Sequence, residues 1–413
     1  MLDQLLAEHA VRTVYQPIVV LDTGATIGYE ALARGPAGSA LERPDVLFAA
    51  ARRGGRLADL DRACRTAALA RARAAGLDPP WTLFVNIEPE TAELAMTVGA
   101  RDPAPAQARP DAGLRVVIEL TERALISDPA QLLALVARVR AHGWGVALDD
   151  VGADRHSLAL LPLLRPDVIK LDLSLVQQQP SADIAMIVSA VNAEAERSGT
   201  AVLAEGIETP EHLAVAQALG ATLGQGWLFG RPGPLPDPIP RFAGPVLRVT
   251  DRAADGPAQT PFQLGAALRL PRPARKGLLI EISKHLEERA MECGESAVVL
   301  SNFQDASFFT RATRGRYARL ASQAAFVGAL GKGMPAQPMA GVRGGLLRAD
   351  DPLIGEWDIA VVGPHFAAAL VARDLGDTGP ESRRRFDYVL SHDRELAITV
   401  ATSLMSRIEP DAR

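Results

Sequence analysis

Polar residues stand at the ends of short, β-rich apolar runs, where a buried strand would not otherwise tolerate them: Glu30, Asn86, Glu119, Asp149 with Asp150, Lys170, Glu205 and Gln225. Taken singly, each has an ordinary reading. An acid after a strand caps the next helix or pairs with an arginine, an asparagine turns the chain, and a lysine finds a nearby aspartate. Gathered at one place, they form a ring of carboxylates with one lysine and two amides. Crowded carboxylates repel one another and rise in pKa unless hard cations neutralise them, and an oxygen-rich, thiol-free donor set suits Mg²⁺ or Mn²⁺. The expectation is a two-metal site. Two such ions ~3.5–4 Å apart stabilise both the entering and the leaving oxygen when a phosphodiester is cleaved by water.

Positioning these residues requires a fold that collects strand ends. Eight strand candidates run through Gln16–Leu21, Gly28–Ala33, Leu83–Ile87, Leu114–Leu120, Gly145–Asp149, Val168–Leu173, Ala201–Glu205 and Gln225–Phe229, with helical stretches such as Asp45–Ala75 and Ala130–His142 between most of them. Eight strands in ~240 residues predict a closed (β/α)₈ barrel, in which the strand C-termini converge on one face.

After Pro232 the composition turns to Pro, Gly and Ala without periodicity, a linker pattern. Order is expected to resume near Lys276 with a helix, a strand over Ala297–Phe303, a helix over Thr310–Ala321 and a strand over Ala325–Leu330. Then follow a Gly-rich loop, a strand over Trp357–Val362, a short Ala-rich helix, a strand over Phe386–Ser391 and a last helix. The division expected is 1–240 for the barrel, 241–272 for the linker and 273–413 for a smaller α/β or α+β domain. The 413 residues carry a net charge of −5 with basic residues scattered among acids, which argues against DNA as a partner. Cys64 and Cys293 are far apart and suit a reducing cytoplasm, and neither a leader nor a membrane span is read, so no membrane partner is expected.

The ordered set of motifs is specific. Glu30-Ala31-Leu32-Ala33-Arg34 is similar to the signature of the EAL phosphodiesterase family, and Val85-Asn86-Ile87, Glu119-Leu120-Thr121-Glu122, Asp149-Asp150, Lys170-Leu171-Asp172, Ala204-Glu205-Gly206-Ile207-Glu208 and Gln225-Gly226 follow in family order. The resemblance implies a metal-dependent TIM barrel that hydrolyses cyclic-di-GMP to linear pGpG with two Mg²⁺ or Mn²⁺ ions. It places Glu30, Asn86, Glu119 and Asp149 on one metal, with Asp149 bridging to a second that Asp150 helps to bind. Glu205 would complete the second site or act as base, Lys170 would orient the attacking water, and Arg34 would grip a phosphate. Glu122, Glu208 and Gln225 would support substrate and ligands.

One departure stands out. Where the family has a Phe-Gly-(Thr/Ala)-Gly-Tyr-Ser-Ser loop after the aspartates, this chain has Val151-Gly152-Ala153-Asp154-Arg155-His156-Ser157. In the family that loop supports the second metal and a barrel-to-barrel homodimer, so the change opens an alternative, a weak or inactive domain acting as a cyclic-di-GMP receptor or interaction module. The C-terminal region resembles the DICT sensory domain through Ile282-Ser283-Lys284-His285-Leu286-Glu287, Phe309-Thr310 with Tyr317, Gly355-Glu356-Trp357 through Gly363-Pro364, and Phe386-Asp387-Tyr388. Those motifs are structural and name no ligand, so its ligand or protein partner stays open.

Overall fold

The computed structural model describes residues 2–88, 113–121, 128–152, 158–249, 259–378 and 380–409. The chain forms two compact units: Met1–Glu122, Leu135–Ala153 and Pro166–Ala254 in the first, and Arg123–Ala134, Asp154–Arg165 and Asp255–Arg413 in the second.

The first unit is a closed barrel of β1 Arg12–Val20, β2 Thr26–Arg34, β3 Thr82–Asn86, β4 Arg115–Thr121, β5 Gly145–Val151, β6 Val168–Leu171, β7 Ala201–Ala204 and β8 Leu223–Gly224, in chain order. Neighbours from β2 to β8 pair in parallel, but β1 runs antiparallel to both β2 and β8. This corrects the expectation that every strand points the same way. The reason lies in the connection: a turn over 21–25 closes a hairpin, whereas a parallel crossover needs a dozen residues or more.

Each strand gives one apolar side chain to a shared interior layer: Ile18, Ile27, Phe84, Val117, Ala147, Val168, Leu203 and Leu223. Because strand side chains alternate, the residue two places further along faces the same interior one layer nearer the mouth. That residue is Asn86, Glu119, Asp149, Lys170, Glu205 or Gln225 on or just after β3 to β8. On reversed β1 it is two places earlier, Gln16. Strand β2 breaks the parity, because Ile18 pairs with Gly28 and Val19 with Thr26, leaving Ile27 as a bulge. The extra residue lets Ile27 and Glu30 both face inward.

The expected linker over 241–272 is largely ordered. Phe242, Leu247 and Val249 pack against the barrel layer, and Trp81 meets Phe242 edge-on at 5.0 Å. Arg115, at the start of β4, donates to the Leu247 carbonyl at 2.5 Å, so this segment closes the end of the barrel opposite the strand tips. Residues 250–258 lie outside the described set. Pro261–Leu268 is a helix of the second unit, started by a Thr260/Gln263 capping box.

The second unit holds a seven-stranded mixed sheet ordered β12-β11-β10-β13-β14-β15-β9: β9 Arg272–Arg275, β10 Val298–Asp305, β11 Phe326–Lys332, β12 Arg343–Leu346, β13 Glu356–Val362, β14 Ala367–Asp374 and β15 Arg385–Ser391. Helices Lys276–Cys293 and Arg311–Ala321 cover the main core on one face. Helices Pro261–Leu268 and Arg394–Met405 pack on the sheet as well. Two expectations change here. The Ala-rich stretch expected as a helix is β14, because a four-residue turn after β13 makes a hairpin and six consecutive buried residues sit between layers, where tertiary packing overrides alanine's preference. The Gly-rich loop contains β12, whose Gly344 lies so close to the Pro335 carbonyl that a Cβ would fall 1.8 Å from its oxygen.

Glu356 and Asp358 share a face of β13. Glu356 accepts hydrogen bonds from the Thr260 hydroxyl and, at 2.9 Å, from the Phe262 N–H. Asp358 is fully buried and accepts from Asn302 Nδ2 at 3.0 Å, while its Oδ1 has no well-aligned donor among the described residues. Burial, then the Glu356 charge, hold the Asp358 carboxyl well above its usual pKa. A raised folded-state value makes stability greatest below the unfolded pKa and erodes it as pH climbs through the folded one. Asp358→Asn should therefore flatten that decline and raise stability near neutral pH by on the order of 1 kcal/mol. Calorimetric melts of both chains at about pH 5 and about pH 8 test this. A variant less stable than wild type at the higher pH would contradict it.

Candidate metal centre

The strand tips meet around one ammonium. Lys170 Nζ, 1% exposed, lies 2.8 Å from Glu119 Oε1, 2.9 Å from Asp149 Oδ1, 2.8 Å from Glu205 Oε1 and 3.8 Å from Glu30 Oε2. The amides tie down one member of this group. Asn86 Nδ2 donates to Glu30 Oε1 at 3.0 Å, and Gln225 Nε2 donates to Glu30 Oε2 and to Gln16 Oε1, the latter at 3.0 Å. Gln16 in turn donates to the Gly230 carbonyl at 3.1 Å. Gln225 is held in place by a tight corner: a Cβ on Gly226 would stand 2.0 Å from the Ile207 carbonyl oxygen, so only glycine fits there.

Electrostatics split the carboxylates. Burial acts against the Glu30 charge, but Lys170 and hydrogen bonds from Gln225, Glu119 and Asn86 outweigh it, and its pKa falls. Glu119, completely buried, is pushed well above the usual range by burial and then by Glu30, with Lys170 opposing. Glu205 rises to about 8, through burial first, against Lys170, with Asp149 and Glu30 adding to the rise. Burial works against the Lys170 charge, yet the four carboxylates hold its pKa well above normal. The cluster is thus an anionic cage with too few cations, keeping protons where metal would replace them.

The donors suit a hard divalent ion. Asp149, Asp150 and Glu205 each bring a carboxylate oxygen within 4.8 Å of the others. Asp150 reaches its place with φ +58°, a left-handed conformation that Asp adopts more readily than most side chains. Among the described residues, both Glu119 oxygens and Asp149 Oδ1 lack aligned hydrogen-bond donors despite lying near Lys170, so buried acceptor capacity is left for an ion.

These shifts carry a sign. Glu119 and Glu205 have folded-state pKa values above their unfolded ones, so the stability they contribute is full below the unfolded carboxylate range and is lost as pH rises through the folded values. The metal-free protein should melt at a lower temperature at about pH 8 than at about pH 5. Adding Mg²⁺ or Mn²⁺ should raise melting most at the higher pH, where fewer protons must be displaced from the carboxyls. A metal-free melting temperature that climbs over this window would overturn the crowded-carboxylate picture.

The remaining expected residues are more scattered. Arg34 ends β2, half-buried, with Nη1 donating to the Ala33 carbonyl at 2.8 Å, and it lines a cavity of about 230 Å³ together with Asn86, Asp61, Arg65, Glu88 and Thr121. Glu208 is exposed ahead of helix Pro210–Ala218, its backbone N–H directed at His212 Nδ1 at 3.3 Å. Glu122 and residues 153–157 of the altered loop lie outside the described residues. Sequence reasoning missed Gln16 and the buried Asp61–Arg65 pair, 3.0 Å apart, whose Asp61 Oδ1 accepts the Glu88 N–H at 3.1 Å. The signal for Gln16 was a lone amide inside a β-rich run. Asp61 and Arg65, four apart on helix Leu57–Ala74, looked like any surface pair.

Fold and site together define a barrel protein with an acidic, lysine-centred, oxygen-donor mouth. The chain belongs to the EAL domain family, whose sequence model matches residues 1–232, and the sensory domain of diguanylate cyclases and two-component systems, DICT, matches residues 263–375. Among curated relatives, the cyclic di-GMP phosphodiesterase RocR of Pseudomonas aeruginosa is 39% identical over 122 residues, covering 29% of this chain and 31% of its own length. The cyclic di-GMP phosphodiesterase NbdA of the same organism is 39% identical over 119 residues, 29% of this chain and 15% of its own. The chain therefore spans less than a third of the length of either. A solved Klebsiella pneumoniae BlrP1 manganese/cyclic-di-GMP complex is 32% identical, with a TM-score of 0.47, over 54% of this chain and 56% of that one. No helix among the described residues is long and apolar enough to cross a membrane.

Proposed function

We propose that this chain hydrolyses cyclic-di-GMP to linear pGpG in the cytoplasm with a pair of Mg²⁺ or Mn²⁺ ions, under control of its C-terminal domain, with 1–240 acting as the enzyme and 273–413 as the sensor. The observation that carries this is the convergence of Glu30, Glu119, Asp149 and Glu205 on one buried lysine. Glu30, Asn86, Glu119 and Asp149 would hold one ion, and Asp149, Asp150 and Glu205 the other. The ions would supply charge stabilisation to the entering and leaving phosphodiester oxygens.

The chain's own groups do the rest. Lys170 orients the attacking water from among the carboxylates, Glu205 takes its proton, and Arg34 holds a phosphate at the edge of the cavity. Gln225 keeps Glu30 aimed inward, and Glu208 meets substrate from its exposed position. A barrel homodimer and a ligand or protein partner for the second unit complete the reading. The purified full chain incubated with cyclic-di-GMP and either ion should yield pGpG. Tight metal-dependent binding with no product would favour the receptor alternative, and neither binding nor product would end both.

A further inference from the structure

Strand β9 closes one end of the second unit's sheet, pairing on one side only, with β15. The bond from the Lys276 N–H to the Arg384 carbonyl, 2.9 Å, sets the phase of this pairing. Backbone groups of Ala274 and Lys276 turn toward β15, while those of Pro271, Pro273 and Arg275 turn to the open edge. Two of those three are prolines without an N–H, so the edge is blunted against addition of another strand. Whatever meets this edge must do so through side chains.

The side chains there are of two kinds. Leu268, Leu270 and Leu278 are 64%, 87% and 52% exposed. They flank β9: Leu268 and Leu270 precede it and Leu278 follows within one turn. Interleaved with them are exposed Arg269, Arg272 and Arg275. Nearby carboxylates are already taken: Glu381 by Lys276 and Arg384, Asp377 by Arg385, and Asp387 by Arg373. Arg272 and Arg275 have no carboxylate partner among the described residues, and Arg269 meets only the Leu390 carbonyl, at 3.4 Å.

We propose that this edge, Leu268 to Leu278, is a peripheral docking surface for an anionic lipid bilayer, its leucines entering the interface and its arginines meeting lipid phosphates. Exposed leucines on a fixed cationic frame match the chemistry of an anionic headgroup layer over acyl chains. A second copy fits poorly, because a twofold contact through this edge would set the arginines against their own copies. The absence of a spanning helix does not bear on such a contact, since lying on a bilayer needs no span.

The test is co-sedimentation of the full chain with phosphatidylcholine vesicles, with and without phosphatidylglycerol, at low and high salt. Binding should appear with the anionic vesicles alone and fall with salt. R272E/R275E and, separately, L268S/L270S should each lower the partition coefficient roughly tenfold or more while melting like wild type. Equal sedimentation with both vesicle types, none with either, or wild-type partition in both variants would overturn the proposal. So would a concentration-dependent dimer in ultracentrifugation that the same variants dissolve, which would assign the edge to a second copy.

Discussion

Glu119→Gln is expected to leave the metal-free protein folded and melting within about 1 kcal/mol of wild type, yet to lower cyclic-di-GMP turnover by on the order of 10³ or more. Glu119 is completely buried, and burial with the neighbouring Glu30 charge holds its carboxyl well above the usual pKa. Without cations the side chain is therefore neutral, and a glutamine of nearly the same shape replaces it at little cost. A divalent ion changes the comparison, because a carboxyl can give up its proton to become an anionic ligand and an amide cannot. The variant should accordingly lose most of the Mn²⁺-induced rise in melting temperature, since ligand-linked stabilisation follows affinity. Wild-type turnover together with a wild-type metal shift would remove Glu119 from the metal site. Unfolding without metal would mean that its charge is needed by the apo fold, contrary to the cage described above.

The strands bearing Asn86, Glu119, Asp149 and Glu205 were readable in the sequence because each is a short apolar run ending in a group that makes no sense in a core. Alternation then fixes where those groups point, and closure of the barrel brings together residues as far apart as Gln16 and Gln225, 209 positions. The lone amide of Gln16 in a β-rich run did not show where it points, since its place depends on β1 being reversed, which follows from the short turn to β2 rather than from any property of the glutamine. The inward aim of Glu30 depends on the Ile27 bulge, a register shift visible only once β1 and β2 are paired. Composition misled over 241–249, where Pro245 and the prolines just before it suggested a free linker. Phe242 stands apart and Leu247 and Val249 offer only one two-residue step, too short to read as a strand, but the three suffice to plug the barrel's lower end. In the second unit the alanines of β14 pointed to a helix, because local propensity carries no information about the two layers that bury both its faces.

Lys170→Met should destabilise the metal-free protein by about 3–5 kcal/mol near neutral pH, the range for breaking a buried ion cluster by removing one partner. Lys170 is the ammonium within 4 Å of Glu30, Glu119, Asp149 and Glu205, and methionine supplies similar bulk with no charge. The sign with pH separates this from a packing defect. Lys170 itself stays charged far above neutrality, its folded-state pKa being raised, so its own titration contributes nothing between about pH 5 and about pH 8. Without its field Glu119 and Glu205, whose rise it opposes, climb further and hold their protons more tightly, which softens the loss at the acid end of that window and deepens it at the alkaline end. A cavity or a lost contact would cost the same at both ends. Divalent ions should restore part of the stability by supplying the missing positive charge, while turnover stays low, because the proposed role of the ammonium in orienting water is not one that a second cation in the cage fills. Melts of the variant at both ends of the window, with and without Mn²⁺, read all of these effects. A pH-independent deficit that Mn²⁺ leaves untouched would make Lys170 a packing residue rather than the charge that keeps four carboxylates together.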